Sequence, residues 1–317
     1  MAAAFLLFGV ALVYGGTSTT HLDGILIVLN AGIANNILVL SGAALILVGL
    51  SFKLAAAPFH VWSPDVYQGA PSPVTGFMSV GAKAAAVAAL LRVFMVTFEG
   101  LAADISPILW GLAALTMVVG NVAAIVQNNI KRMLAYSSVA HGGYMLMAFV
   151  PYGVAAVADD SMASMLFYLV VYAITSFGAW AVVILLERAE GKGLELSDYA
   201  GLGRQRPWVA LAMMIFMLSF TGMPLTLGFW GKFYLFRTAV QGGFVGLAVV
   251  GLLTSVASAF YYLRVIIIMY MKPGEPELQE NLPMVNLMVG ISAVAVVLLS
   301  FIPTPLLDLA LRVMLHL

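Results

Sequence analysis

Residues 51–83 read SFKLAAAPFHVWSPDVYQGAPSPVTGFMSVGAK. Lys53 and Lys83 stand at the two ends of this stretch, in apolar sequence that is otherwise typical of membrane-spanning helix. A lysine at the centre of a spanning helix costs roughly 2.5–3.5 kcal/mol to insert, so each is a functional candidate. The four prolines between them exclude one continuous helix. Since irregular backbone at membrane depth persists only beside protein or a wet cavity, the stretch predicts a helix break along an ion path.

The composition identifies the class of protein. Of the 317 residues, 63% are hydrophobic and 9% are charged, whereas a soluble domain carries about 25% charged residues. We therefore predict an all-α polytopic membrane protein. The formal net charge of zero argues against a nucleic-acid partner. The absence of cysteine excludes disulfides, thiolate metal sites and cysteine nucleophiles, and the sequence indicates no metal site of another kind.

Apolar runs divide the chain into about nine predicted transmembrane helices. They lie at 1–14, 36–57, 73–97, 105–127, 133–150, 162–186, 207–236, 243–271 and 285–301. The first run spans only about 21 Å at 1.5 Å per residue, against a hydrocarbon core of about 30 Å. We therefore interpret this run as the later part of a helix.

We predict one membrane domain over residues 1–317. Residues 1–127 form its first part. Residues 133–271 form the rest of a second structural repeat, which is described below, and 285–317 carry a C-terminal helix. The longest hydrophilic segment, 187–207, is too short to form a soluble catalytic module.

The charges of the loops predict an orientation. The loops on one side carry Lys131, Arg132, Arg188, Lys192, Arg204, Arg206 and Lys272, and the opposite loops carry Asp23, Glu99, Asp104, Asp159, Asp160 and Arg237. By the positive-inside rule the basic side is cytoplasmic. The chain then begins on the cytoplasmic side of the membrane, and its C-terminus ends on the outer side.

A second helix break is predicted in the run at 207–236, which contains TGMPLTLGFWGK. Gly222 and Pro224 should open the backbone there, as Pro58 does in the first break. Lys232 lies close to the second break, as Lys53 does to the first. An odd number of helices per unit inverts the second copy, so the pattern favours an inverted repeat of the kind found in many transporters.

The candidate site residues differ in how strongly the sequence supports them. Lys83 lies ten residues into its run among small residues, too deep to reach the membrane surface easily. Lys53 lies nearer the end of its run, and Lys232 lies eight residues after Pro224. The neighbouring breaks favour a functional role for both lysines over simple snorkelling.

His141 in AYSSVAHGGYMLMAF is either a proton relay or a satisfied packing residue. Nearby Ser137, Ser138 and Tyr144 fit either a hydrogen-bonded water chain or helix contacts. Lys131 and Arg132 either set the orientation of the chain in the membrane as basic loop residues, or act as a gate. No acidic residue lies clearly within any run, so the buried lysines are neutral, are solvated by water, or have a partner that is missing from this sequence.

Three segments carry a family resemblance. PFHVWSPDVYQGAPSPVTGFMSVGAK, NNIKRMLAYSSVAHGGYMLMAF and LSFTGMPLTLGFWGKFYLF closely resemble the subunit N family of bacterial respiratory complex I, the NADH:quinone oxidoreductase. The DVYQGAP sequence is the specific part, because related antiporter-like subunits share PFH but differ beyond it. The resemblance covers essentially the whole chain in collinear order.

The resemblance implies an antiporter-like subunit with two inverted five-helix repeats, each containing a broken helix. Matched by motif, Lys53, Lys83 and Lys232 belong to a polar axis that transfers protons at the membrane centre, with His141 close to it. The resemblance implies no cofactor in this chain, with NADH, FMN, iron–sulfur clusters and quinone in partner subunits. The implied partners are the antiporter-like subunit M, the small subunits K and J, the lipid bilayer, protons and water.

The sequence departs from this family at its beginning. Family members begin several helices earlier and carry a glutamate that pairs with the first lysine. Met1 falls within the equivalent of the sixth helix, so we expect a truncated sequence whose first repeat is incomplete.

Three other functions are alternatives to a proton-transferring subunit. A stand-alone cation/proton antiporter or Mrp-type antiporter subunit would place its site at the same breaks. A haem-carrying subunit lacks ligands, because among the four histidines only His141 lies clearly within a run. A passive spacer is the remaining alternative, and the buried lysines argue against it.

Overall fold

The computed structural model describes residues 2–279 and 282–314. Its α-helices are α1 (Ala2–Thr17), α2 (Leu22–Asn30), α3 (Asn36–Leu54), α4 (Trp62–Gly69), α5 (Ser72–Leu90), α6 (Ala102–Ile125), α7 (Ile130–Phe149), α8 (Ala158–Leu186), α9 (Leu202–Gln205), α10 (Pro207–Thr221), α11 (Leu227–Gln241), α12 (Val245–Met271), α13 (Pro283–Phe301) and α14 (Thr304–Met314). A π-helical turn, Leu91–Thr97, extends α5, and short 3₁₀ turns occupy Glu99–Leu101, Ala189–Gly191 and Leu196–Tyr199. The predicted all-α polytopic fold is confirmed.

Each of the nine predicted runs overlaps one or two helices. Within the described ranges, six helices are long and apolar enough to cross a membrane, and the bent pair α1–α2 makes a seventh if it is one span. Helix α7 is not among these six; it carries Lys131, Arg132 and His141 within its 20 residues. Helices α10 and α11 have 15 residues each, fewer than the about 20 that a span needs, because the chain breaks between them.

Both predicted breaks are present. Helix α3 ends at Leu54 and α4 begins at Trp62, so Pro58 lies in the connecting segment. Helix α10 ends at Thr221 and α11 begins at Leu227, so Gly222 and Pro224 lie in the second connection. The inverted relation of the two halves and the divisions within the membrane domain stay predictions.

The short helix α4 was not predicted. Pro64 is its third residue, and a proline in the first turn removes no intrahelical hydrogen bond. Pro71 precedes α5 and Pro73 lies in its first turn, for the same reason. The prolines therefore divide this stretch into helical pieces instead of making all of it irregular.

Helices α7 and α8 form the centre of the bundle. All residues of α7 except Arg132 and Tyr136 are buried, although the helix is rich in polar side chains. Helix α8 has 29 residues and contacts α5, α7, α10, α11, α13 and α14. Most polar side chains of these two helices are therefore enclosed by protein, whereas Asp159 and Asp160 at the start of α8 are exposed.

Glycines allow neighbouring helices to approach closely, as is typical of membrane bundles. On α6, a Cβ added at Gly120 would lie 2.5 Å from the backbone nitrogen of Ala140 on α7. Gly143 on α7 is equally restricted, since its Cβ would lie 2.7 Å from the backbone nitrogen of Met117. These contacts fix the spacing of α6 and α7.

We predict opposite effects for two alanine substitutions on α6. Gly120→Ala should lower the free energy of unfolding by about 1–3 kcal/mol, because α7 backbone occupies the space of the new methyl group. Gly111→Ala is the matched control: nothing lies within 4 Å of its added Cβ, and removing a helical glycine stabilises by about 0.5–1 kcal/mol. Thermal unfolding in detergent measures both. Equal melting temperatures for the two variants would contradict the close α6–α7 contact.

Candidate functional site

The first break is held open by polar contacts to other helices. Ala55 has a left-handed backbone with φ of 60°. The backbone N–H of Ala57 donates to Thr116 Oγ1 on α6 at 3.0 Å. The Trp62 indole N–H donates to the carbonyl of Phe52 at 3.0 Å. Tertiary contacts therefore replace helix hydrogen bonds that the break removes.

Lys83 lies against this break. Its side chain is buried at 1% exposure, and Nζ donates a hydrogen bond to the Leu54 carbonyl at 2.7 Å. Leu54 is the last residue of α3, so this carbonyl belongs to the terminal group that lacks an intrahelical donor. The C-terminal end of a helix also carries partial negative charge. The lysine thus occupies an electrostatically favourable position.

The second break depends on glycine. Gly222 has φ of +87°, and an added Cβ would lie 2.9 Å from Cδ of Lys232. A larger residue would therefore meet both backbone strain and the lysine stem. Beyond it, the Leu225 carbonyl accepts a hydrogen bond from Ser300 Oγ at 3.1 Å, which holds the connection against α13.

Lys232 lies against the second break in a similar way. Its side chain is 4% exposed, and Nζ donates to the carbonyl of Thr221, the last residue of α10, at 2.9 Å. A second hydrogen bond runs to Ser255 Oγ on α12 at 2.7 Å. Nζ also lies 4.8 Å from the centre of the Tyr144 ring, within range of a cation–π interaction.

The two lysines share one feature that the sequence did not reveal. Each donates to the carbonyl that ends the helix before a break. Neither ammonium group forms an ion pair within residues 2–279 and 282–314. A lysine with neutral partners can release and accept a proton without breaking an ion pair.

His141 lies in a cluster of tyrosines on α7, α8 and α12. Its Nδ1 is 2.6 Å from the Tyr168 hydroxyl and its Nε2 is 3.1 Å from the Tyr262 hydroxyl. The Tyr262 hydroxyl also lies 2.5 Å from Ser137 Oγ. Both ring nitrogens are therefore engaged, and either tautomer is accommodated by rotation of the hydroxyl groups.

His141 connects the surroundings of the two lysines. The next residue, Gly142, is so close to Lys83 that an added Cβ would lie 3.4 Å from Nζ. The His141 ring centre is 5.9 Å from that of Tyr144, the ring that faces Lys232. Lys83, His141 and Lys232 thus form one buried polar line.

Lys53 lies apart from this line. It is one of the last residues of α3, but its side chain is exposed, whereas Lys83 and Lys232 are buried. The structure therefore brings together three of the four predicted proton-transfer residues, and Lys53 faces outward from the first break.

Lys131 and Arg132 occupy the first turn of α7 but make different contacts. Lys131 is buried and pairs with Glu187 at 3.1 Å. Arg132 is partly exposed and pairs with Asp65 on α4 at 2.7 Å. Both side chains therefore tie α7 to neighbouring segments. Among the described residues, no group of histidines and carboxylates could hold a metal ion.

Sequence reasoning missed several residues of the site. Tyr168 and Tyr172 on α8 and Ser255 and Tyr262 on α12 all lie in buried positions. The spacing of Tyr168, Tyr172 and Ser176 at four-residue intervals places them on one helix face, and this signal was available. Glu187 directly follows an apolar run, so the sequence pattern places it in a loop.

The fold and the site define a polytopic membrane protein with two discontinuous helices and a buried lysine at each break. Residues 1–258 match the family model described as NADH:quinone oxidoreductase/Mrp antiporter, TM. The chain belongs to this family.

Two curated relatives are named NADH-quinone oxidoreductase subunit N. The protein from Trichlorobacter lovleyi is 53% identical over 274 residues, covering 86% of this chain and 55% of the relative. The protein from Rhodococcus opacus is 47% identical over 313 residues, covering 97% and 57% respectively. The chain therefore spans little more than half the length of these relatives.

Solved structures agree with the fold. A chain of respiratory complex I from Thermus thermophilus with bound aureothin has a TM-score of 0.81 and 39% identity, covering 97% of this chain and 65% of that one. A chain of the Mrp complex from Dietzia sp. has a TM-score of 0.87 and 21% identity, covering 98% and 64%. The second likeness concerns the fold alone.

The Lys232 hydrogen bonds generate a stability prediction. Ser255→Ala should lower the free energy of unfolding by about 1–3 kcal/mol, because a buried ammonium group loses one acceptor. In a Lys232→Met background the same substitution should cost clearly less, and a double-mutant cycle in detergent measures the difference.

Ser258→Ala is the matched control on α12. Its buried hydroxyl bonds to the Ser255 carbonyl of its own helix at 2.6 Å and does not contact the lysine, so its effect should not depend on Lys232. Strict additivity of Ser255→Ala and Lys232→Met would contradict a stabilising Lys232–Ser255 interaction.

Proposed function

We propose that this chain is a proton-translocating, antiporter-like subunit of the membrane arm of an NADH:quinone oxidoreductase. One observation carries the proposal. Two buried lysines, Lys83 and Lys232, each bind a carbonyl at a helix break, and His141 with its tyrosines lies along the line between them. Groups that can donate and accept protons therefore follow one another through the interior.

In the proposed mechanism, the lysines change their proton content while their carbonyl and hydroxyl partners stay in place. Lys83 exchanges protons with the region around His141, and Lys232 passes a proton to or from one aqueous side. Charge on one group alters the affinity of its neighbours for protons, since like charges repel and opposite charges attract. Lys53 exchanges protons at the outward face of α3. Lys131 and Arg132 control access at the start of α7.

The proposal places the redox chemistry in partner chains. NADH, FMN, iron–sulfur clusters and quinone would be bound there, and this chain would act through protons and water. The expected neighbours are the antiporter-like subunit M and the small subunits K and J. The expected location is the bacterial inner membrane, with the loops that carry Lys131 and Lys272 in the cytoplasm and the C-terminus in the periplasm.

The alternative is a stand-alone or Mrp-type cation/proton antiporter. The names of the curated relatives and the 39% identity to a complex I chain favour the oxidoreductase. The two functions also differ in experiment. An antiporter would exchange cations for protons in vesicles that contain this chain alone, whereas the proposed subunit would act only within its complex.

We predict that Lys83→Ala in the assembled complex lowers both NADH-driven proton pumping and quinone reduction by about tenfold or more. A positioned proton-transfer group contributes about 10²–10⁴-fold to its step, and electron transfer is expected to slow with the coupled proton step. Pumping and quinone reduction in respiring membrane vesicles measure the effect, with assembly verified by native electrophoresis.

Lys272→Ala is the control for this experiment, because Lys272 is an exposed lysine just beyond α12. It should leave both rates unchanged. An assembled Lys83→Ala complex with normal pumping would remove Lys83 from the proton path and refute the proposal.

A further inference from the structure

The Lys131–Glu187 pair is partly enclosed by protein. Lys131 has a side chain that is 2% exposed and Glu187 one that is 22% exposed. The pairs Arg132–Asp65 and Arg188–Glu277, which complete the ion pairs in the described ranges, are more open to solvent. Removing two charges from water is costly. The burial of this pair therefore indicates that it has a specific role.

Both members of the pair also bind the junction between α4 and α5. Lys131 Nζ donates to the carbonyl of Ala70, which follows α4, at 2.6 Å. The second Glu187 oxygen accepts the backbone N–H of Ser72, the first residue of α5, at 3.2 Å. The pair therefore joins the ends of four helices, α4, α5, α7 and α8.

The surroundings single out Glu187 as the carboxylate directed into the bundle at this end. The next residue, Arg188, pairs instead with Glu277. The buried Tyr199 hydroxyl also lies in the electrostatic range of Glu187; burial, Asp198 and Glu187 raise its pKa, so it remains protonated. The charged partner that faces Glu187 is Lys131.

The buried face of α5 extends from the Glu187 contact at Ser72 to Lys83, and we call this stretch the course. Ser72, Ser79 and Lys83 are all buried and recur at intervals of seven and four residues, which places them along one side of a helix. At 1.5 Å per residue, Ser72 and Lys83 are separated by roughly 16 Å along the axis. That distance is about half of a hydrocarbon core.

Four hydroxyl groups fill the inner part of this course. We name Ser79, Ser138, Tyr172 and Ser176 the hydroxyl file. Ser79 Oγ lies 3.3 Å from Ser176 Oγ, and the Tyr172 hydroxyl donates to Ser138 Oγ at 2.8 Å. Tyr172 and Ser176 lie four residues apart on α8, on one face of the helix. Hydroxyl groups both donate and accept hydrogen bonds, so each can take up one proton and release another.

Unpaired hydroxyl groups lie at the outer part of the course. Ser63 Oγ and Ser72 Oγ are fully buried and have no hydrogen-bond partner in the described protein. A buried polar group without a protein partner is a position where bound water is expected. Water at Ser72 would join the Glu187 carboxylate to the hydroxyl file.

We infer that Glu187 and the hydroxyl file form the route by which protons reach Lys83 from the side of the basic loops. Lys131 closes the entrance of this route through its ion pair with Glu187. This inference rests on the proposed function. The Glu187 carboxylate accepts a proton from bulk water, and its ion pair with Lys131 opens while Lys131 keeps the Ala70 carbonyl. Glu187 then releases this proton to water at Ser72 and pairs with Lys131 again. Each water or hydroxyl of the route then accepts one proton and releases another, until Nζ of neutral Lys83 forms the last N–H bond.

The test uses the assembled complex in membrane vesicles respiring on NADH. Glu187→Gln removes the ionisable group at the entrance, and Tyr172→Phe with Ser176→Ala removes two hydroxyls of the file while keeping the tyrosine ring. We expect each change to lower proton pumping and quinone reduction at least threefold, and Glu187→Asp to restore part of both rates. Glu277→Gln, a nearby exposed carboxylate, is the matched control and should match the wild-type complex.

The outcomes separate the route from a structural role of the pair. A slow Glu187→Gln complex beside a normal Tyr172→Phe/Ser176→Ala complex would make the pair a structural link and overturn the route. A normal Glu187→Gln complex would overturn the assignment of Glu187. If Glu187→Gln fails to assemble, the hydroxyl double variant, which changes no charge, decides alone.

The same vesicles separate this inference from the proposed function. A slow Lys83→Ala complex with normal route variants would leave the proposed function in place and refute the route. A normal Lys83→Ala complex would refute the proposed function itself.

Discussion

The hydrogen bond between a buried lysine and the last carbonyl of an interrupted helix is the interaction on which this structure depends. A continuous helix satisfies its own carbonyls and offers none to a side chain. Ending α3 at Leu54 and α10 at Thr221 frees one carbonyl at each break. The freed carbonyl needs a hydrogen-bond donor, and the buried ammonium group needs acceptors. One hydrogen bond between them satisfies both groups.

This arrangement requires support from the rest of the bundle. The first break is held by Thr116 on α6, and the second by Ser300 on α13. Close glycine contacts fix α6 against α7, and α7 in turn places Gly142 beside Lys83. The positions of the lysines therefore follow from contacts among distant helices, and a change far from either lysine can alter its surroundings.

The interior combines apolar packing with buried hydroxyl groups. The aromatic rings of Tyr144, Tyr168 and Tyr262 fill space as phenylalanine would, while their hydroxyls bind His141 or Thr254. A tyrosine thus contributes packing and a proton-exchanging group at the same position. Such residues allow a polar line to cross a bundle without creating a large polar cavity.

The sequence by itself determined the membrane class, the positions of both breaks and the candidate lysines. The length of an apolar run, a proline in a helix and a lysine within hydrocarbon are local features with strong physical consequences. They can therefore be recognised from the sequence alone. The family resemblance was carried by the same segments, including DVYQGAP. Lys83, His141 and Lys232 were predicted together and lie on one buried line.

Only the tertiary structure decided the partners of those residues. The Leu54 carbonyl, Ser255, Tyr168 and Tyr262 are 23 to 121 residues distant in sequence from the groups they bind. It also decided that Lys53 faces outward and that Glu187, at the end of α8, turns back to Lys131. Periodicity assigns a residue to a helix face, but which helix that face meets depends on packing between segments far apart in the chain.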